Sequence, residues 1–358
     1  MAQDCLTIGD FDTILYNKSG VQTVKKWIKG DLHVHSHCCG DGTLPVVEIV
    51  ERSREFCDFL AISGHCREPE FFRAEAQYAE VAAARKKFDI PIFNTGEIEF
   101  PVERHVMMIT TPGNREFELL RSLVPRFCRR AGAVGIDTAM EELAFVEKNW
   151  GDQCFMVFNH PNAPDVSLEN LLRLAQSPVF KVLACVDRGE RRAPQTWDVG
   201  GEWDQLLCRG CRISARCGSD FHRHFTDGGH DYYPGEFVQD VLLVEKNDYP
   251  EIFAAYRRGD FYCRCGENIE NPEFSAQIID GKTRLHLAFD AVADLEFVEI
   301  ISDGIVVMEF RDFDEKFCFD GFLPRGKYFR VRGKAVNQKR KYSDGVFEPV
   351  FLLNPIYF

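Results

Sequence analysis

The chain has 358 residues, 45% of them apolar and 28% charged, with a formal net charge of −13. That length favours a large unit joined to a smaller one, and the composition belongs to a soluble globular protein, which sets aside disordered and fibrous classes. The acidic balance argues against nucleic acid as a partner, and no basic leader or run of about 18 apolar residues is present, so a cytoplasmic protein without membrane contact is expected.

Short apolar runs alternate with longer amphipathic ones from residue 31 to about 265, the pattern of strands joined by helices in an α/β fold. Expected strands are DLHVHS (31–36), DFLAIS (58–63), IPIFNTGEIEF (90–100), RHVMMIT (104–110), CFMVFN (154–159), KVLACV (181–186), RISARC (212–217) and DVLLVE (240–245). Pro45 opens a helix at VVEIVERSREF, residues 68–88 form another, Ser167 caps LENLLRLAQ, and PEIFAAYRRG runs from Pro250 to a stop at Gly259. After Pro272 the apolar period becomes two, with Leu285, Leu287 and Phe289 alternating with polar or small residues. Ser302-Asp303-Gly304 then joins FVEII to IVVMEF as a β-hairpin. The division expected is an N-terminal extension (1–28), a main α/β unit (29–268) and a C-terminal all-β, sandwich-like domain (269–358).

Fourteen cysteines are scattered without a disulfide-type spacing, so reduced thiols are expected, and Cys208-Arg-Gly-Cys211 is a lone C-x-x-C with no second pair. The histidines and carboxylates are organised differently. In GDLHVHSHCCGDG, His33 and His35 stand two apart and project to one face, which makes half a metal site. GSDFH repeats the geometry with Asp220 and His222. His65, Glu97 and His160 stand near the C-terminal ends of other expected strands, His105 lies near the start of its run, and Asp41 sits in the Gly-rich loop after the first strand. Sites in α/β folds are built where strands run into helices, so the joint occurrence points to a metal centre.

The ordered series DLHVHS…GDG, SGH, GEIE…RHV, NHP and GSDFH resembles the polymerase and histidinol phosphatase (PHP) family of metal-dependent phosphoesterases over roughly residues 29 to 265. WIKGDLHVHS, PEIFAAYRRGDFYCRCG and the terminal NPIY are similar to the carbaryl-hydrolase-type branch, whose members also carry a β-rich C-terminal domain. The resemblance implies a distorted (β/α)7 PHP barrel holding two or three divalent ions, zinc, manganese or iron, at the C-terminal ends of its strands. Carried over, His33, His35, Glu97 and Asp220 would hold one ion, and Glu97 would bridge to a second held by His105 and His160. Asp41, His65 and His222 would complete a third site. One departure is visible: the family often has an aspartate before the histidine of its second motif, where this chain has Gly64.

With ions a few ångströms apart, a bound water loses its proton near neutral pH and becomes the expected nucleophile, and His222 is a candidate to protonate the leaving oxygen. Glu97, Asp220 and His222 are thus the expected catalytic set. Arg67, Arg188, Arg191, Arg192 and Arg223 are candidates to clamp a phosphate in bidentate fashion. His37, Cys38 and Cys39 do not occupy ligand positions of the resemblance, and His224 and His230 belong to a polar loop, HRHFTDGGHDYYPGE, suited to a lid. The expected activity is hydrolysis of a small phosphate ester, mono- or diester. The alternatives are hydrolysis of a carbamate or carboxylic ester on the same ions, and a silent metal-binding regulatory protein. The oligomeric state is left open.

Overall fold

In the computed structural model the described residues are 14–16, 22–66, 71–102, 104–131, 135–161, 167–187, 197–336, 338–339, 346–347 and 349–358. Two short ribbons apart, its strands in chain order are β1 (Lys26–Asp31), β2 (Phe59–Ile62), β3 (His65–Cys66), β4 (Ile92–Asn94), β5 (Glu97–Phe100), β6 (Arg104–Ile109), β7 (Phe155–Phe158), β8 (Phe180–Asp187) and β9 (Ser214–Gly218). They continue as β10 (Val238–Val244), β11 (Phe261–Cys265), β12 (Ile269–Ile279), β13 (Lys282–Ala291), β14 (Leu295–Ser302), β15 (Ile305–Phe310), β16 (Lys316–Leu323), β17 (Tyr328–Ala335) and β18 (Val350–Tyr357). The helices are α1 (Val46–Ser53), α2 (Phe71–Lys87), α3 (Glu116–Ala131), α4 (Ile136–Asn149), α5 (Leu168–Leu174), α6 (Glu202–Cys208) and α7 (Tyr249–Arg258).

Local chemistry sets several boundaries as the sequence leads one to expect. Ser167 accepts the Asn170 N–H at 3.1 Å to start α5, Asp248 caps α7 with Pro250 in the first turn, and Gly259 ends it at φ +80°. Asp303 and Gly304, at φ +50° and +78°, make the turn between β14 and β15. Two expected strands differ. The first paired strand is Lys26–Asp31 rather than residues 31–36, and beyond it Val34 keeps only an isolated bridge to Phe221. The backbone there is satisfied otherwise: His33 N–H donates to the Asp31 carboxylate, Val34 N–H to Ser63 Oγ and His35 N–H to the Phe221 carbonyl. The expected strand 90–100 is broken at Thr95-Gly96, where the chain passes from one sheet to another.

The strands form a nine-stranded sheet in the order β15-β14-β17-β18-β11-β10-β1-β2-β4, a six-stranded sheet β9-β8-β7-β6-β5-β3, and a three-stranded sheet β12-β13-β16. Strands β1, β2 and β4 are mutually parallel, as are β7, β8 and β9, whereas β5 and β6 form an antiparallel pair. Between the two large sheets lies one apolar interior. Ile28, Leu32, Phe59, Phe93, Met107, Phe155, Val182 and Leu242 meet there, together with Ile252, Ala255 and Tyr256 of α7. Helices α3 to α6 cover the outside of the six-stranded sheet, and α1 and α2 cover β2 and β4.

The C-terminal region is strand-rich, and β17 and β18 continue the same sheet that carries β1, since β18 pairs with β11. Alternation in β13 buries Leu285, Leu287 and Phe289 against Val298, Ile300, Val331 and Phe351. A buried ion pair fastens this region to α6. Arg330 of β17 donates to both Asp204 oxygens at 2.6 and 2.8 Å and lies over the Trp203 ring at 4.7 Å, while Tyr328 OH donates to Asp204 Oδ1 at 2.7 Å.

Arg330→Ala leaves the Asp204 carboxylate buried without its cation, so the substitution should cost about 3–5 kcal/mol. Urea unfolding should show a lowered midpoint; a loss below about 1 kcal/mol would show that the clamp does not secure the β region.

Candidate metal centre

The nine residues singled out from the sequence converge on one place. His33 and His35 follow β1, His65 lies in β3, Glu97 begins β5 directly opposite His65 in the parallel register, and His105 lies in β6. His160 follows β7, and Asp220 and His222 follow β9. His160 and Asp220 hold φ values of +52° and +48°, a conformation unusual for side-chain-bearing residues and one that tends to gather at functional sites.

Glu97 is the hub. Its Oε1 lies 3.1 Å from His33 Nε2, 3.3 Å from His105 Nδ1 and 3.1 Å from His160 Nε2. Its Oε2 lies 3.4 Å from His35 Nε2 and 3.1 Å from His65 Nδ1. Asp220 Oδ1 is 3.1 and 3.2 Å from His33 and His35 Nε2. Asp41, half exposed at the rim, is 3.2 Å from His65 Nε2 and 3.8 Å from His222 Nε2. The donor atoms fall into overlapping sets: His33, His35, Glu97 and Asp220; His35, Asp41, His65 and His222; and His65, Glu97 and His105. The first set is the one the resemblance implies, the second adds His35 to the expected trio, and the third puts His65 beside Glu97 and His105.

These residues fit metal ions on their own chemistry. His35 Nε2, His65 Nδ1, His105 Nδ1 and Glu97 Oε2 are buried and make no hydrogen bond of acceptable geometry, although carboxylate oxygens lie 3.1–3.4 Å from the imidazole nitrogens. Buried polar atoms turned toward one another without bonding are an anomaly that a shared cation removes. Electrostatics agree. Burial lowers the His35 pKa to about 4, partly offset by Asp220, so its ring is neutral at pH 7 and keeps a lone pair. Burial alone would raise the carboxyls of Glu97 and Asp220, yet the surrounding histidines hold both well below the usual carboxylate range. Neutral imidazoles and ionised carboxylates are the ligand forms of those side chains.

Residues that the sequence reading left without a role brace the set. Asn159 donates to Glu97 Oε1 at 2.8 Å. Asp231 Oδ2 accepts the N–H groups of His222 and Arg223, which ties the loop expected as a lid back to the ligand segment. Gly64, where the resembled family often has aspartate, has no room for a side chain: a Cβ would stand 2.6 Å from Gln77 Oε1 and 2.9 Å from Cys39 Cβ. Gln77 instead bonds Gly64 N–H, the Ile62 and Thr95 carbonyls and Asn94 Oδ1. Cys39 Sγ, outside the ligand positions of the resemblance, donates to Asp41 Oδ1 at 2.9 Å and lies 3.6 Å from His35 Nδ1. His224 stacks on Tyr233 at 3.9 Å and faces Glu236 at 3.0 Å. Arg223 is exposed beside His222, and Arg67, Arg188, Arg191 and Arg192 lie outside the described residues. Two clefts of about 900 and 700 Å³ lie elsewhere and include none of the nine residues.

Beneath the centre, Asp31 and Asp240 flank one guanidinium. Arg216 Nη2 donates to Asp31 Oδ1 at 3.1 Å and its Nε to Asp240 Oδ2 at 3.0 Å, all three side chains being fully buried. Burial raises both carboxyls, that of Asp240 to about 7, with Arg216 opposing. An unfolded aspartate titrates near 3.9. The folded chain therefore holds a proton that the unfolded chain releases, and the stability this provides is full below about pH 4 and is lost as pH rises through about 7.

No family model and no curated protein matches this chain. Among solved structures, it is similar to a two-domain protein from Bacteroides vulgatus containing a predicted PHP-like metal-dependent phosphoesterase, at 14% identity over 93% of this chain and 96% of that one, with a TM-score of 0.47. It is also similar to endonuclease Q of Pyrococcus furiosus, at 13% identity over 65% and 56% of the two chains and a TM-score of 0.42. Endonuclease Q in complex with a 27-mer duplex substrate carrying an abasic lesion at the active site gives 13%, 65%, 57% and 0.44. That complex corrects the expectation that net charge sets nucleic acid aside. Net charge sums the whole surface, whereas a phosphate chain is met by local potential and bound cations.

In chelator-treated protein, the stability difference between wild type and Asp240→Asn should move toward the variant as pH rises from about 5 to 7, by at most about 1.4 kcal/mol per pH unit. It should level off above about pH 8. Urea titrations across that range check this, and a constant difference would refute the proton uptake at Asp240.

Proposed function

We propose that this chain is a metal-dependent phosphoesterase of the PHP type, hydrolysing small phosphate esters. The observation that carries the reading is the hub itself, one buried carboxylate with five imidazole nitrogens within 3.4 Å and a second carboxylate beside them. An ion pair needs one histidine per carboxylate; five on one carboxylate is the donor surplus of a multinuclear site. The arrangement of the two large sheets supports a distorted barrel, since the Val34–Phe221 bridge joins the continuation of β1 to that of β9, and Thr95 Oγ1 donates to the Met108 carbonyl between β4 and β6.

In this reading His33, His35, Glu97 and Asp220 would hold one ion, His105 and His160 would share Glu97 around a second, and Asp41, His65 and His222 would hold a third at the rim. Divalent ions there supply Lewis acidity toward phosphoryl oxygen and make water acidic enough to attack near neutral pH. The remaining steps belong to side chains. Asn159 fixes the Glu97 carboxylate through its amide, and Asp31 fixes the backbone of His33. With Nδ1 bonded to the Asp220 carbonyl at 2.7 Å, His222 presents its Nε2 lone pair toward Asp41, which suits a ligand. Ligation through Nε2 and proton delivery to the leaving oxygen exclude one another, so His222 would serve as the acid only where no ion occupies its Nε2. Arg223, exposed beside His222, is proposed to meet a phosphate, and the same role is proposed for Arg67, Arg188 and Arg191. The reduced cysteines among the described residues suit a reducing, cytoplasmic setting.

The carbaryl-hydrolase-type branch is kept as the narrower proposal, with carbamate or carboxylic ester hydrolysis as its activity. In the terminal NPIY of that resemblance, Asn354 accepts Ala215 N–H at 2.7 Å and donates to the Phe261 carbonyl, joining β18 to the strand that leads to Asp220.

Purified protein should carry two or three ions per chain and release product from at least one of phosphomonoesters, phosphodiesters, an abasic DNA strand, carbamates or carboxylic esters. Glu97→Gln should lower both metal content and turnover by about 100-fold or more at limiting metal. Full metal content with full activity in that variant would overturn the site, and activity on carbamates without phosphate release would favour the branch reading.

A further inference from the structure

A separate group of donors stands beside the centre and shares none of its nine residues. The 3-10 turn His37–Cys39 is fixed at both ends, by the Ser36 side chain accepting Cys38 N–H and by Gly40 at φ +89°. This sets His37 and Cys38 next to each other. Glu80 reaches them from α2: its Oε1 meets His37 Nε2, while its Oε2 accepts Val46 N–H at 3.0 Å at the start of α1. One imidazole nitrogen, one thiol sulfur and one carboxylate oxygen thus lie within 4.8 Å of one another.

We propose that His37, Cys38 and Glu80 form an additional site for one zinc-class divalent ion at the mouth of the centre, with its fourth position open to solvent or to a ligand. A histidine paired with a carboxylate at a partly exposed position contributes little by itself, and the Cys38 thiol turned toward the same carboxylate brings a third donor to one point. A mixed nitrogen, sulfur and oxygen set is a zinc ligand set, and the sulfur disfavours magnesium and calcium. Two of the three ligands come from one rigid turn and the third from a helix, so little chain entropy is lost on binding. Without metal the thiol is protonated, since burial and Glu80 push it up to about 11. Binding therefore breaks the S–H bond, forms the metal–sulfur bond and passes the proton to solvent. Once filled, the site ties the loop carrying Asp41 to α2. This inference stands apart from the proposed hydrolysis, because its readout is spectroscopic.

The test uses cobalt(II) alone, titrated into the full chain. A thiolate-to-cobalt charge-transfer absorption is expected in wild type and in Cys39→Ser and Glu97→Gln, and should vanish in Cys38→Ser. In Glu80→Gln it should require about tenfold more cobalt. Zinc content should fall by one ion per chain in Cys38→Ser. Absence of the absorption in wild type would overturn the site. So would its survival in Cys38→Ser with loss in Cys39→Ser, which would assign the sulfur to the main centre instead.

Discussion

The centre depends on the two oxygens of Asp31. Oδ1 accepts the His33 N–H at 2.9 Å and Oδ2 accepts the Ser219 N–H at 3.0 Å, so one carboxylate grips the backbone in front of both ligand pairs. His33 follows a strand of one sheet and Ser219 a strand of the other, and no regular ladder joins the sheets at this point. Arg216 holds Asp31 from below, and Asp240 holds Arg216 while also accepting Cys217 N–H and Tyr256 OH. A lysine could not replace Arg216, because the planar fork is what reaches two carboxylates at once. Burying one guanidinium with two carboxyl groups is costly, and what offsets the cost is that every carboxyl oxygen has a donor. His33, His35, Asp220 and His222 acquire their relative placement from this bracket, and Glu97 closes the set from the strand opposite His65.

Much of this was legible from residue order. Period two in β13 located the apolar face of the C-terminal strands, the Asp303-Gly304 turn located the hairpin between β14 and β15, and the nine candidate residues could be collected because most stand next to an apolar run. Strand ends are where side chains of different segments meet, so position relative to such runs carried more information than any single motif. The strand before His33 was misplaced by five residues because DLHVHS alternates like a strand while its N–H groups are taken by Asp31, Ser63 and Phe221. Alternation reports facing; it does not report pairing.

What the sequence concealed are contacts between distant positions. Nothing near Asn159 announces a bond to Glu97, and nothing near Gln77 shows that it occupies the space Gly64 leaves and links four backbone or amide groups around β2 and β4. The missing aspartate before His65 reads as a loss in one dimension. In three it is a substitution of supports, with the glutamine of a helix taking the position a neighbouring side chain would crowd. Grouping of ligands is likewise a matter of distance: His65 serves both Asp41 and Glu97, which spacing alone does not indicate.

The sheet that carries β1 also carries β18, so residues 26–31 and 350–357 belong to a single ladder with β10 and β11 between them. A ribosome delivers the second segment about 320 residues after the first, and until it arrives the edge of β11 is open and the bonds that Asn354 makes to Ala215 and Phe261 are missing. Over that interval the nascent chain carries an incomplete sheet next to the segment that bears Asp220. In that interval the unpaired N–H and C=O groups along β11 form an open sheet edge, which is prone to pairing with other chains.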